Sequence, residues 1–345
     1  MGLMNAMLSH RQIWSVQLAL LVLTCFVNWS AVAGDKDGNR NNNNNDDKND
    51  ASSLATYRSS VSEVRVTFFA TDENNRPVET LTKSDFAVVD SERVIRNFRS
   101  FSHSDETALD VVVLVDLSES VAPRVRTAIN DVLQLVAREQ SIPDDNLAVL
   151  SFGGASGGTS GVTFGGLRPA ILCSSGCRAA DSTSKLLAVK SGGTTPLFDA
   201  LIFTADFISQ HRRAGARRVM ILFSDGDDTI SMHSPREALQ AVLDAGALIY
   251  SVDMGKGQTS GTMFLRRVSE ATGGRYFSVS LRPSQQDGAA TVLNAVLEDL
   301  RASYVVTYDL PSHQAGFHSL RLLPTHNLNL TFHSRNGYDY EPSGH

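Results

Sequence analysis

Three short stretches place oxygen-bearing side chains where apolar runs stop. In VVVLVDLSESV (111–121) five apolar residues are followed by Asp116, Ser118 and Ser120. In SGGTTPLFDAL (191–201) Thr194 or Thr195 supplies a hydroxyl at a loop that enters a helix-like pattern. In VMILFSDGDDT (219–229) Asp225 follows another apolar run, Val219 to Phe223, after Ser224. Two carboxylates and three hydroxyls are hard donors. They suit Mg²⁺, Mn²⁺ or Ca²⁺ and disfavour zinc or copper. With so little charge around it, such an ion would stay electrophilic and take one further anionic ligand. Taken alone, Asp116 would serve as an ordinary helix N-cap and Asp225-Gly226 as a simple turn. Glu119 takes no ligand role, and Asp227 and Asp228 read as an acidic, solvated rim.

The elements that would hold these donors alternate. Val111–Val115, 146–152, 217–228 with its acidic exit, 247–255 and 275–280 read as strands. The patterns at 121–140, 196–212, 235–246, 262–274 and 286–304 read as helices. Strand–helix alternation predicts a doubly wound, mostly parallel sheet with helices on both faces. Right-handed crossovers then bring the strand C-termini to one edge, where ligands bind. The Gly-rich run SFGGASGGTSGVTFGG lacks the Lys-Ser/Thr ending of a phosphate loop and reads as a loop or hairpin.

D-x-S-x-S after a hydrophobic strand, a GGT loop about 75 residues on, and SDG after another hydrophobic strand together resemble the von Willebrand factor type A domain. The resemblance covers about residues 108–302, within a domain expected over 105–302. It implies a Rossmann-like fold and a metal-ion-dependent adhesion site (MIDAS). Asp116, Ser118 and Ser120 match its first loop, Thr194 its second and Asp225 its third, with Thr195 the fallback if the second loop shifts by one. In that family the hydroxyls bind the ion directly, the aspartates often act through water, and a partner's carboxylate completes the coordination. The flanks resemble secreted bacterial proteins related to this family, including the Arg-x-Gly-Tyr ending at Arg335, Gly337 and Tyr338. That implies a small β module made from residues 54–104 and the strands of 303–345.

Residues 1–33 read as a secretory signal peptide: Arg11, an apolar run from Val16 to Val27, then Ala31-Val32-Ala33. Residues 34–53, GDKDGNRNNNNNDDKNDASS, are low in complexity and read as a disordered linker. A secreted location, periplasmic or extracellular, makes Cys173 and Cys177 a small disulfide. The net charge of -6 argues against a nucleic-acid partner, and no segment after the signal is apolar enough to span a membrane. The expected function is non-enzymatic adhesion or protein interaction: a Mg²⁺ (or Mn²⁺ or Ca²⁺) ion binds Asp or Glu of an extracellular or envelope partner. Two alternatives stand beside it. One is a secreted hydrolase using Ser118 or Ser224, which lacks G-x-S-x-G and a placed His. The other is a structural assembly protein with a vestigial metal site.

Overall fold

The central strands have no polar face. In β5 (Leu109–Asp116) and β10 (Arg217–Ser224), Val111 to Val115 and Val219 to Phe223 are all buried. Side chains alternate across a strand, so such a run must be covered on both sides. Val111, Val113, Val115, Val219, Ile221 and Phe223 join one apolar cluster. Val112, Leu114, Met220 and Leu222 join the other. Each such side chain stabilises the fold by roughly 1.5–3 kcal/mol of burial.

In this computed structural model, the described residues are 63–104, 108–121, 124, 147–153, 162–163, 166–167, 169–174, 177, 184–185, 192–278 and 288–342. The expected signal peptide, the linker, nearly all of the helix expected at 121–140 and most of the Gly-rich run lie outside them. The described residues fall within one unit, Ser59–His345.

The remaining strands are β1 (Glu63–Thr71), β2 (Phe86–Asp90), β3 (Arg93–Ile95), β4 (Ser100–His103), β6 (Leu147–Phe152), β7 (Val162–Thr163), β8 (Gly166–Leu167) and β9 (Ala170–Cys173). They continue with β11 (Ala247–Asp253), β12 (Tyr276–Ser278), β13 (Tyr304–Asp309), β14 (Gly316–Pro324), β15 (Thr331–Ser334) and β16 (Gly337–Tyr340). The helices are α1 (Leu197–Gln210), α2 (Pro235–Ala245), α3 (Ser260–Thr272) and α4 (Gly288–Arg301).

The central sheet has the order β12-β11-β10-β5-β6-β9. All of its pairings are parallel except β6 with β9. Helices α1, α2 and α3 supply the second cluster with Leu201, Val242 and Leu265, among others, and α4 covers the first with Val296 and Leu300. This is the Rossmann-like, doubly wound fold that the alternation predicts. Strand β9 is an addition: the sequence reads its segment only as the loop of a disulfide. Cys173 at its end is bonded to Cys177.

Two further four-stranded antiparallel sheets have the orders β15-β1-β13-β4 and β16-β14-β2-β3. Both mix strands from before and after the central sheet. In β1, Val64, Val66 and Phe68 alternate with Glu63, Arg65 and Thr67, so one face turns inward. That face shares a core with Phe86 and Val88 of β2, Val306 and Tyr308 of β13, and Leu320 and Leu322 of β14. The two sheets thus bury their apolar faces against each other as a sandwich.

Candidate functional site

Strands β5 and β10 are parallel neighbours in register from Leu109↔Arg217 to Val115↔Phe223. Both therefore end at the same edge. The chain continues from β5 to β6 on one side of the sheet and from β10 to β11 on the other. This reversal opens a crevice at the strand C-termini, the usual ligand position in such sheets.

Asp116 closes β5 and is fully buried. Its Oδ1 accepts the Ser118 N–H at 2.8 Å, and its Oδ2 accepts the Ser224 hydroxyl at 2.7 Å. Ser224 in turn accepts the Gly226 N–H at 3.0 Å. Burial pushes the Asp116 carboxyl up to about 6, against the pull of the Ser118 and Ser224 hydrogen bonds, and nearby Asp225 adds a smaller upward push. A cation beside it would favour the ionised form.

Leu117 and Val121 anchor the loop by pointing into the core, while Ser118 is buried and Ser120 exposed. The two serine hydroxyls are 3.2 Å apart. Oxygens that occupy adjacent corners around an ion at about 2.1 Å stand about 3 Å apart. The pair therefore fits two neighbouring ligands of one small cation. Among the described residues no group of three or more His, Cys, Asp and Glu stands together. The donor set here is mainly hydroxyl, and that chemistry suits Mg²⁺-like ions over zinc.

Thr194 lies on the loop entering α1 and is exposed; Thr195 is buried. The Thr195 N–H donates to Thr229 Oγ1 at 2.8 Å, and its carbonyl accepts from the Thr229 N–H at 2.9 Å. This pairing ties the second loop to the third. Gly153, at φ +72°, sits between the first two: a Cβ there would lie 3.0 Å from Ser118 N and 3.3 Å from the Thr194 carbonyl oxygen. Asp225 is buried just beyond β10, and its Oδ1 accepts the Asp227 N–H at 3.2 Å. The loops of Asp116, Thr194 and Asp225 thus meet at one edge.

Gly226 shows how closely α3 approaches. Its φ is +79°, and a Cβ would fall 2.3 Å from the Gly261 carbonyl oxygen, so backbone packs on backbone. Asp228 is half-buried and accepts the Phe198 N–H at the start of α1 at 3.2 Å. It therefore belongs to the helix start as well as to the rim that the sequence reading gives it.

The sequence reading assigns nothing to Asp253, the end of β11. It is buried, and Gly255 lies between it and Asp225. Its oxygens accept from the Gly255 N–H at 2.6 Å, Tyr276 Oη at 2.5 Å and Thr262 Oγ1 at 3.1 Å. Burial and this bond push the Tyr276 hydroxyl up to about 12. With both oxygens engaged, Asp253 fixes α3 and β12 beside the site. The acidic end of ALIYSVD was the available signal.

The von Willebrand factor type A domain model matches residues 110–287, just over half of the chain, and the chain belongs to that family. Similar solved structures include a von Willebrand factor type A protein from Catenulispora acidiphila, at 14% identity and a TM-score of 0.45, covering 82% of this chain and 64% of that one. Manganese-loaded TRAP protein from Plasmodium vivax is 16% identical with a TM-score of 0.40, covering 69% of this chain and 96% of that one. Proximal thread matrix protein 1 from the mussel byssus, with a zinc-occupied MIDAS motif, is 16% identical with a TM-score of 0.44, covering 61% of this chain and 49% of that one. This chain thus spans about half the length of the mussel protein. No curated protein matches it.

Proposed function

We propose that this protein is an exported, non-enzymatic adhesion or assembly module. Asp116, Ser118, Ser120, Thr194 and Asp225 hold a divalent cation, with Mg²⁺ the first choice and Mn²⁺ or Ca²⁺ the others. The cation in turn takes a Glu or Asp carboxylate from an extracellular or envelope protein. The observation that carries this reading is the 3.2 Å pair of serine hydroxyls beside an aspartate whose oxygens are already held by Ser118 and Ser224. The hydroxyls provide direct ligands, Asp116 provides charge behind them, and Thr194 is the exposed threonine of the second loop. Family membership supports the same role. No helix among the described residues is long and apolar enough to cross a membrane.

The hydrolase alternative gains no support. Ser224 is fully buried with its hydroxyl donated to Asp116, and no histidine bonds Ser118 or Ser224 among the described residues. Affinity capture of envelope or extracellular proteins with and without EDTA tests the proposal. The captured partner should be released by chelation and absent with Asp116→Ala. Capture that survives both would refute it.

A further inference from the structure

At the opposite edge of the central sheet lies a cleft of about 600 Å³. β10 and β11 begin there, and the outer face of β1 and the residue after β15 form its other wall. Six of its fifteen lining residues are arginines: Arg65, Arg212, Arg213, Arg217, Arg218 and Arg335. None of the described lining residues is acidic. In a chain of net charge -6 this runs against the bulk composition. The eight residues of β10 put about 23 Å between this edge and the Asp116 loop.

Part of the cluster has an ordinary structural role. Arg217 donates to the Leu300 carbonyl and Arg218 to the Ala245 carbonyl at 2.7 Å, satisfying helix C-termini. Arg213 is paired with Asp110, its Nε 2.7 Å from Oδ1. The compensation of Arg335 is partial: its guanidinium lies over the Tyr338 ring at 5.5 Å and is favoured by the nearby Asp90 carboxylate. Arg335 donates Nη2 to the Arg65 carbonyl at 3.0 Å, but its Nε is buried without a partner. Nε and Nη1 of Arg217 are likewise buried and unpartnered. The exposed guanidinium groups of Arg65 and Arg212 meet no hydrogen-bonding or ion-pairing partner among the described residues. Arg65 and Arg212 are the guanidinium groups that an anion in the cleft would reach first.

We propose that this cleft binds a multiply charged tetrahedral oxyanion, carried as a phosphate or sulfate ester. Guanidinium groups grip such oxygens in bidentate pairs, and the cationic lining is all arginine with no lysine. The volume suits a ligand larger than a single phosphate group. This site is independent of the metal loops and takes its anion without a cation.

Calorimetric titration of the metal-stripped full chain at low ionic strength tests it, with inorganic pyrophosphate in one arm and a disulfated disaccharide in the other. One saturable site is expected for at least one probe, and the probe that binds identifies phosphate or sulfate as the source. Arg65→Gln combined with Arg212→Gln should weaken binding by about tenfold or more while the melting temperature moves by less than about 2 °C. Asp116→Ala should leave the affinity unchanged. The assignment is overturned if neither probe saturates, if the double variant binds within about twofold of wild type, or if Asp116→Ala abolishes binding.

Discussion

The Ser224 hydroxyl donates to Asp116 Oδ2 at 2.7 Å, joining the ends of two neighbouring parallel strands. Ser224 is therefore a positioning residue behind the proposed cation site. Ser224→Ala leaves a buried carboxylate oxygen unpaired and should cost about 1–3 kcal/mol of stability. Metal affinity should fall although no proposed ligand is removed. Denaturant melts and metal titration of the variant check both effects; unchanged values in both would show the bond to be idle.

Gly226 cannot accept a side chain. Gly226→Ala combines a left-handed φ of +79° with a Cβ 2.3 Å from the Gly261 carbonyl oxygen. The expected loss is about 2 kcal/mol or more, because α3 must move off the loop. Thermal melting reads this directly, and a melting temperature equal to wild type would contradict the close approach.

His333 links the β sandwich to pH. Its ring stacks on Phe69 at 4.5 Å and hydrogen-bonds Thr71 at 3.1 Å. Burial first, then the charge of Arg275, lowers it from 6.5 to about 4. The folded state then binds fewer protons than the unfolded chain between those values. Its contribution is present above pH 6.5 and is lost as pH falls toward 4, amounting to at most about 3 kcal/mol. Asp299 acts in the opposite sense: burial raises it to about 7 despite Arg275, so its contribution is lost as pH rises from 3.8 through 7. Subtracting a His333→Phe stability profile from that of wild type isolates the histidine. A flat difference between pH 4 and 6.5 would rule this out.

The Cys173–Cys177 bond closes a loop of only four residues' separation. Such a short closure restricts the unfolded chain modestly, so replacing both cysteines with serine should cost about 2 kcal/mol. Metal affinity should stay unchanged, because β6 separates β9 from β5 and Cys173 pairs with Val149, short of the strand end at Phe152. Chemical denaturation and metal titration of the double variant measure the two quantities.

The central sheet was readable from sequence because β5 and β10 are apolar on both faces, and only a covered parallel strand tolerates that. Their polar ends were readable for the same reason: Asp116 and Asp225 interrupt runs that otherwise stay in the core. Other relations were not legible. Pairings such as Val66↔Val306 join residues far apart in the chain, and alternation within β1 does not say which strand lies beside it. The four-residue β9 is too short and too irregular in burial to announce itself. Asp253 is an acid at a strand end like Asp116, but its structural use depends on Tyr276 and Thr262 arriving from other elements. The arginine cleft gathers five separate segments, so no local window of sequence displays it.

The most direct test of the account is calorimetric titration of the full chain with Mg²⁺ and Mn²⁺, comparing wild type with Ser118→Ala, Ser120→Ala and Asp116→Ala. The account predicts one ion per chain, with affinity reduced about tenfold or more in each variant. A wild-type chain that binds neither ion, or variants that bind as well as wild type, would contradict it.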